Sequence, residues 1–351
     1  MSAQAPPRPT ALPLSPEAVA AALSPLGGAD SATLEIAGRS LRFAQAHKPI
    51  FPSGETKADL LAYLVTMSPV MLPHLADRPI TLTRYPHGTA GKSFFQKNRP
   101  PGAPPWLEST LVGRTRFVLA RTAAALALFA QWAAMEIHVP PVRLGRGGEP
   151  RVDQLVLDLD PMPPAGWRET QRAARGVRRL LDAAGVASYP KLSGQTGLHV
   201  FVPVAARPGG LTTAAIARGV AMLLWRAAPD VYTVAWPVRN RRGVYVDHTQ
   251  NAGGHTMAAA YSPRPSDGAR VSAPVRWDEV AEVSPGLFTI HTMPDRVRRL
   301  GDLFAPMLAR PERLEALEAL AREGLSLGAA RSPTEPRSAG RRPQADGVRD
   351  G

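Results

Sequence analysis

The segment DQLVLDLDP, residues 153–161, constrains this chain more than any other stretch. Leu155, Val156 and Leu157 form a short apolar run of the kind a buried strand carries, and Asp158 and Asp160 close it. Residues two apart in a strand share a face, so both carboxylates project together while Leu157 and Leu159 face the other way. Two anions side by side at a buried strand end cost on the order of several kcal/mol unless a cation or a shared proton removes the conflict. A solvated strand end is the alternative for an isolated pair. It is disfavoured here by the apolar residues before the pair and by a third carboxylate, Asp247, which ends the strand-like segment GVYVDH. Three carboxylates on strand ends suffice for two hard cations, Mg2+ or Mn2+, with phosphate oxygens and water filling the other positions. Two such ions, about 3.5 to 4 Å apart, stabilise the attacking and leaving oxygens of an in-line phosphoryl displacement. The pattern points to phosphoryl or nucleotidyl transfer and leaves open whether nucleotides are added or removed.

Charge narrows the partner. Forty-two Lys and Arg against 29 Asp and Glu give a net charge of +13 over 351 residues, as expected of a protein that meets polyanions. Part of the excess lies in residues 330–351, RSPTEPRSAGRRPQADGVRDG with its preceding alanine, which read as a disordered basic tail. Residues 1–30, rich in Pro, Ala and Ser, read as a largely flexible or only partly structured segment. There is no cysteine for a disulfide or thiolate site, no secretory signal pattern and no bilayer-length apolar run. A cytoplasmic, nucleoid-associated protein with no membrane partner is the expectation.

Between these ends, residues 31–329 alternate helical and strand patterns. TKADLLAYLVTMSPVMLPHL predicts a helix capped by Thr56 and interrupted by Pro69 and Pro73, followed by a strand at ITLTRY. RFVLA reads as a strand, and TAAALALFAQWAAMEI as an Ala-rich helix ending before His138. A helix over Trp167 to Ala184, strands at ASYPKL and GLHVFVPV, and a helix over Thr212 to Ala228 come next. GVYVDH and TMAAAYS read as neighbouring strands, with shorter helices near Asp278, Asp295 and Leu314. The mixture predicts an α+β fold with mixed or antiparallel sheets flanked by helices.

KLSGQTGLHVFVPV is a second chemical signal. Ser193, Gly194 and Gly197 make a turn whose amides can approach phosphate oxygens, and His199 follows on a strand. Alone, such a stretch is more commonly a hairpin turn before a core histidine. Phe94 and Phe95 stand beside Lys92, Lys97 and Arg99, which fits base stacking with backbone neutralisation, or else two core phenylalanines. Lys48 and Lys57, taken alone, are ordinary solvated lysines, and His138 a structural histidine at a helix end.

The order FFQK, MEIH, LVLDLDP, LSGQTGLHVFVP, VYVDHTQN, AYSPR resembles the polymerase domain of bacterial DNA ligase D, of the archaeo-eukaryotic primase superfamily, from about Phe43 to about Arg299. The resemblance implies a primase-polymerase core and assigns Asp158, Asp160 and Asp247 as catalytic metal ligands for two ions, Mn2+ or Mg2+. It places His138, Ser193, Gly194, His199 and Arg264 at the incoming nucleotide, and Phe94, Phe95 and Lys97 against the DNA. Lys48 and Lys57 would grip a downstream 5′ phosphate. Residues 31–110 would carry the DNA-end contacts and 111–329 the catalytic core.

The activity so implied is template-directed nucleotidyl transfer to a 3′ hydroxyl at gaps or broken ends, favouring ribonucleotides. The substrates would be NTP or dNTP and 5′-phosphorylated DNA, with Ku and a separate DNA ligase as candidate partners of a free-standing polymerase. Three positions depart from the family pattern: Thr196 where lysine is common, Ala44-Gln45 where Ser/Thr-Asn precedes the first lysine, and Gly243 where a basic residue is common. A metal-dependent nuclease or phosphoesterase, and an end-binding factor with weak catalysis, are the alternatives.

Overall fold

The computed structural model describes residues 11–205, 209–235 and 238–329. The chain opens with α1 (Pro16–Leu23), the hairpin β1 (Ser31–Ile36) and β2 (Arg39–Ala44), then α2 (Lys57–Thr66) and α3 (Ser68–Leu75). Next come β3 (Thr81–Arg84), β4 (Phe94–Gln96), the hairpin β5 (Ser109–Val112) and β6 (Thr115–Val118), α4 (Ala123–Gln131) and β7 (Ala134–Val139). A small hairpin, β8 (Val142–Leu144) and β9 (Pro150–Val152), leads to β10 (Gln154–Met162), α5 (Trp167–Ala183), β11 (Tyr189–Leu192) and β12 (Leu198–Pro203). The rest is α6 (Thr213–Ala227), β13 (Tyr232–Thr233), β14 (Gly243–Asp247), β15 (Met257–Ala258), α7 (Met293–Leu300), α8 (Ala305–Ala309) and α9 (Glu315–Ala329).

Two sheets organise the molecule: five strands in the order β11-β12-β10-β14-β13, and four in the order β15-β7-β3-β4. The α+β expectation holds, and nearly every strand pair is antiparallel, β13 with β14 being parallel. β10 is central because it is apolar on both faces: Leu155, Val156, Leu157 and Leu159 are fully buried. Each such side chain contributes roughly 1.5 to 3 kcal/mol on leaving water. α5 and α6 pack against β10. A single apolar core runs through both sheets and the helices around them.

α2 begins where the sequence places it. Thr56 Oγ1 accepts from Asp59 N and Asp59 Oδ2 accepts from Thr56 N, a reciprocal capping box. The predicted break appears as a 75° bend between α2 and α3, with Pro69 in the first turn of α3 and Pro73 inside it. No single helix among the described residues is long and apolar enough to cross a membrane.

Four expectations need correction. The Ala-rich helix stops at Gln131; Ala133 takes a left-handed φ of 51°, and Ala134–Val139 becomes β7, because pairing with β3 outweighs helix propensity. His138 therefore lies on a strand, next to its last residue. TMAAAYS does not lie beside GVYVDH: Met257 and Ala258 pair with β7 in the other sheet. The turn Thr249–Asn251 carries the chain away, and Asn251 instead bonds the Val156 backbone at the free edge of β10. Near Asp278 there is only the 3-10 turn Glu279–Ala281, while the helix after Leu314 runs 15 residues. Finally, the N-terminal segment, read as largely flexible or only partly structured, contains α1, capped by Ser15 with Pro16 at its first position and anchored by buried Val19. The expected basic tail lies outside the described residues.

Candidate active site

β10 pairs with β12 on one side and β14 on the other, and the register sets Asp158 opposite both His199 and Asp247, with Asp160 opposite Tyr245. Cross-strand partners project to the same face, so three carboxylates and one imidazole are delivered to one patch of sheet. Burial, then the charges of Asp160 and Asp247, hold the Asp158 carboxyl well above the ordinary carboxylate range. Asp160 is raised in the same way, by burial first and Asp247 second.

The carboxylates are not equivalent. Asp247 Oδ1 accepts from Thr249 N at 2.8 Å and Thr249 Oγ1 at 2.6 Å, and Oδ2 accepts from Gln250 Nε2 at 3.1 Å. Asp158 Oδ1 is buried without a hydrogen-bond partner, 3.4 Å from His199 Nε2. Among the described residues no three His, Cys, Asp or Glu side chains already converge as a ligand set. A divalent cation nevertheless suits this donor set: an orphaned buried carboxylate oxygen and two raised carboxyls are the conflict that a hard cation resolves.

The second sheet faces this patch with donors. His138 on β7 lies opposite Thr81 of β3 and Ala258 of β15, and Glu136 lies opposite Thr83. Arg264 comes within 3.2 Å of Glu136 through its terminal nitrogen, and His138 Nε2 within 3.7 Å. Burial opposes the Glu136 charge, but His138 and Arg264 outweigh it and hold its pKa below the ordinary value. Buried side-chain atoms without a hydrogen-bond partner, among the described residues, are Thr81 Oγ1, Thr83 Oγ1, His138 Nε2, Asp158 Oδ1, Arg264 Nε and the remote Ser188 Oγ. Such atoms are rare in folded proteins, and their concentration at one place marks a pocket built for a polar ligand.

The SGQTG turn closes the pocket edge. Ser193 Oγ accepts from Gln195 N and Gly197 N, both at 3.1 Å, so its hydroxyl shapes the turn. Gly194 has φ 78°, and a Cβ there would meet Val271 O at 2.8 Å; a Cβ at Gly197 would meet Leu159 O at 2.7 Å and Asp160 Oδ1 at 2.8 Å. Only glycine lets this loop lie so close to the carboxylates.

Comparison with known proteins decides the family. A family model described as "LigD, primase-polymerase domain" matches residues 56–304. The chain belongs to the LigD primase-polymerase family. Its domain is a metal-dependent nucleotidyltransferase domain. The chain is 34% identical over 280 residues to the bifunctional non-homologous end joining protein LigD of Bacillus subtilis, covering 78% of this chain and 45% of that protein. It is 35% identical over 273 residues to the multifunctional LigD of Mycolicibacterium smegmatis, covering 76% of this chain and 36% of the relative. The chain thus spans less than half the length of these two relatives. It also superposes on the polymerase domain of Mycobacterium tuberculosis ligase D in complex with DNA, with a TM-score of 0.72 and 34% identity, covering 78% of this chain and 99% of that one.

On this LigD-type domain the expected DNA contacts differ in exposure. Phe94 and Phe95, on the edge strand β4, are 44% and 66% exposed, so neither is a core residue. Arg84 lies 5.3 Å from the Phe94 ring centroid, and Phe95 meets the His138 ring edge-on at 5.9 Å, which ties the platform to the pocket. Lys97 is exposed beyond them.

Lys57 is not a solvated lysine. It is buried, donates to Ala44 O at 2.6 Å and Gln131 Oε1 at 3.2 Å, and sits 4.9 Å from the Phe43 ring centroid. Burial and the neighbouring Lys48 push its pKa down to about 8. Lys48 is half-buried and donates to Pro86 O at 2.7 Å.

Of the departures from the family pattern, Gly243 has a local cause in its backbone and Ala44-Gln45 has none. Ala44 uses its backbone to seat Gln131 and Lys57, and Gln45 takes a left-handed φ of 58°. Gly243 has φ 75°, and a Cβ there would meet Val231 O at 2.6 Å, which disfavours a larger residue in this chain. Thr196 is exposed at the tip of the turn.

Sequence reasoning passed over Glu136, Arg84 and Lys191. Glu136 and Lys191 are charges inside apolar strand patterns, which is itself the signal that could have found them.

Proposed function

We propose that this chain is a DNA-repair polymerase of the end-joining kind, adding nucleotides to a DNA 3′ hydroxyl at a gap or break that carries a downstream 5′ phosphate. The observation that carries this reading is the cluster of unpartnered buried groups, three hydroxyl, imidazole and guanidinium donor types facing two raised carboxyls across one pocket. A nucleoside triphosphate complements that set: its phosphates take the donors and its charge calls for cations on the carboxylate side.

In this scheme Asp158, Asp160 and Asp247 hold two ions, Mn2+ or Mg2+. When bound, these supply activation of the 3′ hydroxyl and charge compensation on the departing pyrophosphate. His199, His138 and Arg264 donate to the triphosphate. Ser193 keeps the turn at Gly194 and Gly197 in shape so that its amides stay near the phosphates. Phe94 and Phe95 stack template bases, a contact indifferent to sequence, while Lys97 neutralises backbone charge. Lys48 and Lys57 form the 5′-phosphate pocket. That pair supports the reading because the Lys48 charge adds to burial in depressing Lys57, and an anion beside both amines would relieve that repulsion.

Residues 31–110 supply the end contacts and 111–329 the chemistry. Preference for ribonucleotides, and action beside Ku and a DNA ligase activity, are part of this proposal and are supported by the likeness to relatives named as non-homologous end joining proteins. Primer extension on a gapped, 5′-phosphorylated duplex, with each nucleotide set and each metal, tests the whole. Templated addition is expected. Primer shortening without nucleotides would favour a nuclease, and tight end binding without extension would favour an end-binding factor.

A further inference from the structure

Lys191, on β11, is fully buried, and among the described residues no carboxylate lies within ion-pair distance of it. Its Nζ has three polar neighbours drawn from separate parts of the fold: His199 Nδ1 at 2.9 Å on β12, Ala258 O at 3.1 Å on β15, and Ser272 Oγ. It therefore bridges the two sheets directly behind the carboxylate patch. Ala258 O can only accept. The Ser272 hydroxyl gives its single proton to Leu192 O at 3.1 Å, so toward Lys191 it also accepts. An ammonium group has three protons and meets three acceptors if His199 Nδ1 is the third. The ring proton of the neutral imidazole then resides on Nε2, the nitrogen 3.4 Å from Asp158 Oδ1.

We propose that Lys191 is a positioning residue for nucleotidyl transfer: it fixes His199 in the tautomer whose Nε2–H faces the pocket, ready to donate to a triphosphate oxygen. The proposal rests on reading this pocket as a nucleotide site. With Lys191 charged, the geometry selects one tautomer, because a histidine with a free Nδ1 would place its proton on either nitrogen and would present a lone pair to the phosphate part of the time. Burial and the charge of Arg264 hold the Lys191 pKa well below the ordinary lysine value. An anion entering the same pocket offsets that cost, so the lysine and the triphosphate favour each other. A neutral amine at the same point would keep its two protons for Ala258 O and Ser272 Oγ and turn its lone pair to Nδ1, reversing the tautomer.

The test reads the tautomer and the ligand separately. Side-chain 15N NMR of the full chain, with the His199 signals identified by their loss in Lys-intact His199→Gln, reports which ring nitrogen carries the proton. ATP with Mn2+ is titrated by fluorescence, and gapped-duplex binding serves as the control. In the wild type the proton is expected on Nε2. In Lys191→Met, His199 is expected to lose this fixed tautomer and ATP affinity to fall about tenfold, with gapped-duplex binding unchanged. Lys191→Gln ends one bond short of the lysine nitrogen and keeps a donor for the carbonyl. It is expected to show the same changes, and it decides the matter if Lys191→Met does not fold. A wild-type proton on Nδ1, or variants that keep both the Nε2–H tautomer and ATP affinity, overturns the proposal. A fixed wild-type tautomer without primer extension would instead overturn the polymerase reading and leave the Lys191 contact in place.

Discussion

The proposed 5′-phosphate pocket yields a prediction whose size follows from Lys57. Its amine is buried and depressed to about 8 by burial and by Lys48. A terminal phosphate dianion placed between the two ammonium groups restores the charged form and lifts Lys57 toward its ordinary value of 10.5. In the free protein Lys57 is mostly charged at pH 7 and mostly neutral at pH 9, whereas in the complex it is charged at both. Binding at the higher pH must therefore take up a proton, and the linkage relation gives a loss of about tenfold in affinity, or about 1.4 kcal/mol, between the two pH values. The sign for folding is the opposite. A lysine whose folded pKa lies below its unfolded one contributes stability that is present above pH 10.5 and lost as pH falls through about 8.

The assay is titration of two gapped duplexes, one with a 5′ phosphate and one with a 5′ hydroxyl, at pH 7 and pH 9 and at two salt concentrations. The ratio of the two affinities isolates the pocket from the general basic surface, because backbone contacts are common to both duplexes and screened alike. A ratio well above one at pH 7 that shrinks about tenfold by pH 9 is expected, and Lys48→Ala with Lys57→Ala should bring it to one at both. A ratio near one at pH 7, or a large ratio that does not change with pH, refutes the argument.

Asp158→Asn should abolish primer extension while leaving duplex affinity within about twofold, since the carboxylates and the basic footprint are different residues; chelation of divalent ions should silence the wild type in the same way. Because a raised carboxyl contributes stability that is lost as pH climbs past its folded pKa, the metal-free Asp158→Asn variant should also melt higher than the metal-free wild type at neutral pH. His199→Ala should raise the nucleotide concentration needed for half-maximal extension about tenfold or more, consistent with a charge-assisted contact of roughly 1.5 to 3 kcal/mol, and an unchanged requirement returns it to a structural role. Phe95→Ala should weaken single-stranded template binding by roughly 1 to 3 kcal/mol with no change in melting temperature, given its 66% exposure; a fall in melting temperature instead would mark it as a packing residue. Gly197→Ala should fold yet extend poorly, because the added methyl meets Leu159 O and Asp160 Oδ1 below 3 Å, and wild-type activity in that variant would show the loop to be freer than this packing allows.

What the sequence made legible follows from which periodicities are local. Asp158 and Asp160 share a face by strand geometry alone, and Asp247 joins them because a segment ending in Val-Asp is short and apolar enough to be a strand of the same sheet. Thr56 announced its helix because a cap and its Asp59 partner are three residues apart. What failed was long-range. Nothing near Ala133 marks a turn, with neither glycine nor proline between Ala123 and Val139, so the helix pattern of TAAALALFAQWAAMEI runs on until β3 claims MEIH as a strand. Lys57 looks solvated in sequence because its neighbours Lys48, Ala44 and Gln131 are brought to it only by folding. Lys191 is the extreme case: it lies on a four-residue strand, and its three polar neighbours belong to positions 199, 258 and 272. The residues that reading alone could place are those whose role needs one strand or one turn. Those that set the charge and proton positions of the pocket need both sheets, and a buried cation without an anion is how they show themselves.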